Sequence, residues 1–289
     1  MRCLIAIYAW LLARLPEAFA RLNAWALGWV IWLIRGPLIK RNLREAFPQR
    51  NNQWVRRIGK LSCQRTAEMG LYAIASPLLS EKEIRERIQP DPSMLEGESA
   101  IPPGRPVVLF VPHFSLMEMM TAVRISYPTL AAREWVTLYR PLDVAAAEVW
   151  VKESRERFGM KLVSRRDGFG QVMRAVREGG IGCVLFDQNT SGGTAIDFLG
   201  HSCSVTDLPG IIAQRFQASC HIFWAERCGF WRCQLRTHAL QARDSMGLTL
   251  ESNAWLAERL SSSDEACADW LWAHDRWRHG KKTKPAEQA

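Results

Sequence analysis

In Val-Pro-His113-Phe-Ser-Leu-Met-Glu118 an imidazole lies five residues before a carboxylate. An imidazole accepts a proton from an attacking hydroxyl near neutral pH. A carboxylate beside it fixes the tautomer and stabilises the imidazolium. If a substrate brings the hydroxyl, no protein nucleophile is required. The spacing sets a condition. Five residues on a regular helix turn through about 500°, which leaves the two side chains about 140° apart. They pair readily only if His113 sits in a loop ahead of the helix that carries Glu118. Taken alone, a His five residues before a Glu is common by chance.

Three further stretches carry polar groups at the ends of apolar runs. Asp187-Gln188 follows IGCVLF and precedes a Gly-rich loop, Asn189-Thr190-Ser191-Gly192-Gly193. Such a pair can hold a substrate or cap a turn. Arg140, in Tyr139-Arg140-Pro141, can bind phosphate or stabilise an oxyanion, or serve as a plain surface arginine. Asp269–Arg278 (DWLWAHDRWR) reads as a basic aromatic helix packing on the domain or on a membrane. Its Arg276 and Arg278, with Lys281 and Lys282, could meet an acidic carrier protein. His201, His221 and His238 lack metal-ligand spacing, and no H-E-x-x-H, P-loop or G-x-S-x-G motif occurs.

The elements that must position these groups follow from apolar patterning. Val107–Val111 (VVLFV) is a continuous β-branched run, as in a strand buried on both faces. Trp135–Tyr139, Lys161–Val163, Ile181–Phe186, His221–Glu226 and Phe230–Thr237 are further strand candidates. Helical spacing spans 51–75, 143–158, 168–178, 206–217 and 247–260. Ser80 and Glu83 form a capping box at the start of a short helix, and Gly179-Gly180 ends the helix over 168–178. Alternating strands and helices predict an α/β fold with a central, largely parallel or mixed sheet. Ligands in such sheets sit at the carboxyl ends of the strands. His113 and Asp187 both lie just past strand ends, so both should face one site.

The N-terminal segment has a different character. Cys3–Ala13 (CLIAIYAWLLA) and Ala24–Ile34 (AWALGWVIWLI) are each shorter than the roughly 20 apolar residues of a spanning helix. No small-residue cleavage site follows the first. With Trp10, Trp25, Trp29 and Trp32 and the flanking Arg35, Lys40, Arg41 and Arg44, they suit a helix or hairpin lying in a membrane interface. The expected organisation is a membrane-associating helical segment over 1–50, one α/β domain over 51–279, and a disordered basic tail over 280–289. A net charge of +9 favours anionic partners such as anionic membrane lipids. Nucleic acid is not expected, because no recognition motif accompanies the charge. The eight cysteines, without a C-x-x-C, read as reduced thiols.

Taken in order, these stretches resemble the late acyltransferases of lipid A biosynthesis, the lauroyl/myristoyl type, within the lysophospholipid/glycerolipid acyltransferase superfamily. The resemblance is carried by Asn42-Leu43, Phe47-Pro48, His113-Phe114 through Glu118, Tyr139-Arg140-Pro141 and Arg157-Phe158-Gly159. It continues through Asp187-Gln188, Phe198-Leu199-Gly200, Thr206 through Ala213, and Trp270 through Trp277. It implies acyl transfer from an acyl thioester, on acyl carrier protein or coenzyme A, to a hydroxyl of a lipid A precursor. The setting would be the cytoplasmic face of the bacterial inner membrane. By the same analogy His113 is the general base and Glu118 its orienter. Arg140 binds substrate or stabilises charge, Asp187 belongs to the acceptor pocket, and Gln188 beside it is a further substrate-binding residue. Neither a metal nor a redox cofactor is implied. Lysophospholipid or other glycolipid acylation is the alternative, and a catalytically silent lipid-binding protein of the same fold is the non-enzymatic one.

Overall fold

The computed structural model describes residues 2–141, 144–164 and 168–278. Nine strands are present among them: β1 (Ile88–Pro90), β2 (Val107–Val111), β3 (Trp135–Tyr139), β4 (Met160–Ser164), β5 (Ile181–Leu185), β6 (Asn189–Phe198), β7 (His201–Val205), β8 (Ser219–Gly229) and β9 (Arg232–Ala239). The main sheet has seven strands in the order β1-β9-β8-β2-β5-β3-β4. Its pairings are parallel except for the β8–β9 hairpin, so the architecture is the expected mostly parallel α/β sheet.

Every residue of β2 is buried. Successive side chains point to opposite faces, and they feed two cores. Val108 and Phe110 join one cluster with Val136, Leu138 and Val184. Val107, Leu109 and Val111 join another with Trp135, Ile181 and Cys183. A strand covered on both faces has no room for alternation, which is why VVLFV is apolar throughout.

The longer helices are α1 (Arg2–Arg14), α2 (Glu17–Ala46), α3 (Asn52–Ala75), α4 (Ala145–Glu156), α5 (Phe169–Arg177), α6 (Leu208–Phe216), α7 (Ser245–Ser262) and α8 (Asp264–Asp269). Asn51 caps α3 by accepting from the Trp54 N–H at 2.8 Å. The Ser80–Glu83 capping box forms on the short helix Glu81–Arg85. Gly179 follows α5 with φ +84°, the left-handed residue that stops it.

Three local expectations are revised. The two N-terminal apolar runs lie in two helices, broken at Pro16, and α2 is 30 residues long and apolar enough to cross a membrane. The helix extends past the second run on both sides because the flanking polar residues are themselves good helix formers. The Gly-rich stretch after Asp187-Gln188 is not a loop. It opens β6, which pairs antiparallel with β7. Leu199 (φ 52°) and Gly200 (φ 78°) make the tight turn between them, with positive φ at both central positions, as a twist-compatible hairpin demands. Finally, the stretch after His113 is a 3₁₀ helix, Met117–Ala122, followed by one α-helical turn. The tail expected over 280–289 lies outside the described residues.

α2 packs along α3. A Cβ on Gly28 would come within 2.7 Å of the Gln64 backbone, so the helices approach as closely as glycine allows. The opposite side of the N-terminal pair is bare: Leu4, Ile7, Trp10, Leu22, Trp25 and Leu33 are all exposed. The tryptophans therefore divide into two populations. Trp10, Trp25 and Trp29 face outward, whereas Trp135, Trp270, Trp272 and Trp277 are fully buried.

Candidate active site

β2 and β5 are parallel neighbours, with Val111 opposite Leu185. Two residues further along each chain stand His113 and Asp187. Equal offsets from a paired position bring them together. The Asp187 carboxylate grips His113 twice: Oδ1 lies 2.5 Å from the ring Nδ1, and Oδ2 accepts the His113 backbone N–H at 2.8 Å. A third donor, the Trp270 indole N–H, reaches Oδ2 at 2.7 Å.

Asp187 is 1% exposed. Burial alone would raise its pKa. The His113 imidazole and the three hydrogen bonds outweigh burial and hold the carboxyl well below the ordinary range. An ionised carboxylate on Nδ1 keeps a proton there, which leaves Nε2 as the basic nitrogen of the neutral ring.

His113 sits in the loop ahead of the helix, as the spacing required. The side chain at its Nδ1, however, is Asp187 and not Glu118. Glu118 faces α4, where the Arg155 guanidinium takes both carboxylate oxygens, with Nε on Oε2 at 2.8 Å. The pair is largely buried. The physical reason is the tight 3₁₀ turn, whose path carries Glu118 toward α4. Asp187, expected in an acceptor pocket, lies behind His113.

His113 opens onto a cavity of about 730 Å³ at the carboxyl edge of the sheet. Arg140 and Gln188 line it, with Arg155, Asn189 and His274. Tyr139, also in the wall, donates from its hydroxyl to Glu148 at 2.7 Å. Burial and the Glu148 carboxylate push that phenol up to about 12. A smaller recess of about 70 Å³ adjoins the cavity, sharing Met117, Leu138, Tyr139, Arg155 and Leu185 with it and ending on Met160, Leu162 and Phe223.

The stretch after α8 is not a surface helix. Trp270–Arg278 runs through tight turns, with Trp272 N–H on the Trp270 carbonyl and Arg276 N–H on the His274 carbonyl. Trp270, Trp272, Arg276 and Trp277 are buried, so Arg276 is not available to an outside carrier protein; Arg278 is exposed. Lys281 and Lys282 lie outside the described residues. The run is tied down from far away in sequence. The Asn42 amide donates to the carbonyls of Trp272 and His274 at 3.0 and 2.8 Å, and the Ser62 hydroxyl donates to that of Trp270 at 2.8 Å.

His274 and Trp270 thus belong to the site, although the sequence reading gave them only a packing role. No local pattern marks them, because the spacing of the aromatics and arginines over 270–278 matches neither a strand period nor a helix period. Behind His113 the polar groups continue inward. Asp269 accepts from Ser115 at 2.9 Å and from the buried Arg65 at 2.7 Å.

No curated protein sequence matches the chain. The family model described as bacterial lipid A biosynthesis acyltransferase matches residues 1–279. That span holds the whole sheet, the His113–Asp187 pair and the buried tryptophan run that backs it, and the chain belongs to the bacterial lipid A biosynthesis acyltransferases, enzymes that transfer acyl groups.

Proposed function

We propose that the protein is a membrane-associated O-acyltransferase that moves a fatty acyl chain from an acyl thioester to a hydroxyl of a lipid A precursor. The observation that carries this reading is the His113–Asp187 pair, set at the carboxyl edge of the sheet and opening on the cavity lined by Arg140 and Gln188. Nε2 of His113 takes the proton as the acceptor oxygen bonds to the thioester carbonyl carbon. The tetrahedral oxyanion collapses, the C–S bond breaks, and the imidazolium returns the proton to the departing thiolate. Asp187 holds the ring in the tautomer this requires. The Glu118–Arg155 pair keeps the cavity wall in place, so Glu118 acts on position and not on the proton. Arg140 meets an anionic group of the acceptor or donor. The apolar recess beyond Met117 takes the first part of the acyl chain.

Membrane contact is supported by the bare apolar face of α1 and α2, rimmed by exposed arginines. Basic residues near such a surface are attracted to anionic headgroups. The setting we propose is the cytoplasmic face of the inner membrane, with acyl carrier protein as donor. The test is transfer of a radiolabelled acyl group from acyl carrier protein, and separately from coenzyme A, to a panel of lipid acceptors. Label should enter a lipid A precursor with the wild-type protein and not with His113→Ala. Absence of transfer from either donor by a folded, membrane-bound protein would overturn the reading.

A further inference from the structure

Asp187 and Asn189 stand two residues apart where β5 gives way to β6, and each holds an imidazole. Asp187 holds His113. The backbone N–H of Asn189 donates to Nε2 of His274 at 2.8 Å. A nitrogen that accepts a hydrogen bond carries no proton in the neutral ring, so the His274 proton is on Nδ1. His274 lines the same cavity as His113. Among the described residues, Nδ1 has no hydrogen-bond partner. The ring is held at its backbone too, where its own carbonyl accepts from Asn42.

We propose that His274 is a second catalytic imidazole, whose Nδ1–H donates to the carbonyl oxygen of the acyl donor as that oxygen becomes the tetrahedral oxyanion. This rests on the acyl-transfer reading above. An oxyanion needs donors that are already aimed when charge develops. In the cavity wall Arg155 is committed to Glu118, and Arg140 stands at an exposed position. His274 is the donor fixed at both ring and backbone. Burial lowers the His274 pKa to about 4, with His113 and Arg276 adding to the shift and Asp187 opposing it. The ring is therefore neutral at working pH, and a neutral imidazole polarises a carbonyl without surrendering its proton. The two histidines divide the work: one nitrogen takes a proton from the attacking hydroxyl, and the other donates a hydrogen bond across the bond being made.

The test uses the full chain in membranes and two substitutions that separate the two ring nitrogens. His274→Asn keeps an N–H near Nδ1 and loses the acceptor for Asn189. His274→Gln keeps an acceptor near Nε2 and loses the cavity donor. The expected result is a kcat within about 10-fold of wild type for His274→Asn and about 10²-fold lower for His274→Gln, with KM for the acyl donor little changed in both. The reverse order, Gln active and Asn silent, would make His274 a prop for Asn189 and overturn the inference. So would wild-type rates in both.

If His274→Asn does not fold, His274→Gly with added imidazole takes its place. Imidazole should restore turnover, and 1-methylimidazole, which has no N–H to donate, should not; equal rescue by the two overturns the inference. A wild-type protein without transfer to any lipid is a different failure. It removes the acyl-transfer reading and this inference with it.

Discussion

β2 and β8 lie side by side in the sheet, and each has a histidine near one end. His113 follows the carboxyl end of β2, and His221, near the start of β8, lies opposite Leu109 in the middle of β2. Both have an oxygen partner: the Asp187 carboxylate for His113, and the Ser219 hydroxyl, 2.8 Å from Nε2, for His221. Both line a cavity, the second of about 540 Å³. The difference lies in what surrounds the ring. His113 has an ionised carboxylate that can stabilise an imidazolium. His221 is 2% exposed, no carboxylate among the described residues reaches its ring, and burial drives its pKa down to about 4 against the opposing effect of the Ser99 backbone. A serine beside a histidine looks like nucleophile chemistry on paper. Without a carboxylate on the other nitrogen, the ring has nothing to support the charge it would take up.

The largest effect expected from this contrast is in turnover. His113→Ala should lower acyl transfer by at least about 10²-fold, the usual contribution of a general base, while His221→Ala leaves the rate per folded molecule near wild type. Equal losses, measured with matched folded fractions, would break the contrast. Next is the carboxylate. Asp187→Asn keeps the shape but offers the ring a neutral amide, and should cost about 10²-fold or more in kcat with KM little moved.

Glu118→Gln sharpens the question of which acid serves His113. It should leave Arg155 buried without its counter-charge. Stability should then fall by about 3 kcal/mol, the scale for breaking a buried pair. Turnover should fall less than in Asp187→Asn. If Glu118→Gln is the slower of the two in a pre-steady-state assay, Glu118 and not Asp187 is the orienter.

The smallest effect is on acid stability. His221 and His274 are depressed from 6.5 to about 4 in the folded protein. Their neutral burial therefore contributes fully above about pH 6.5 and is lost as pH falls toward 4. Asp187 is also depressed, so its contribution lasts until the pH drops below the ordinary carboxylate range. Denaturant midpoints should decline between pH 6.5 and 4, and His221→Gln should flatten part of that decline. An unchanged slope would mean that the ring is not buried neutral.

Much of this arrangement could be read from the chain alone. The apolar run VVLFV marked a strand buried on both faces and IGCVLF a second strand, and chemistry at their carboxyl ends followed from the parallel sheet. Which carboxylate meets His113 could not be read. Glu118 was the near neighbour in sequence, but Asp187 is 74 residues away and arrives through the register between β2 and β5. Local spacing cannot report a register. The run Trp270–Arg278 was harder still, because density of aromatics and arginines describes a membrane-facing helix and a buried turn equally well. Only tertiary contacts such as Asn42 to Trp272 decide between them. Several of the stretches that carry the resemblance turn out to be scaffold. Leu199-Gly200 makes a hairpin turn, and Arg157 ties α4 to the carbonyls of Ser76 and Leu79.

Asn42 also bears on how the protein can be handled. It stands on α2, the helix whose other end bears the outward tryptophans, and its amide is the hook on which the backbone of His274 hangs. A soluble version made by deleting everything through Ala46 would discard that hook together with the greasy surface. A cut near Gly36 keeps the last turns of the helix, including Ile39, Asn42 and Leu43, all buried in the body. The detergent-free enzyme, if one can be made, therefore begins partway along a helix and not at the loop that a domain diagram would choose.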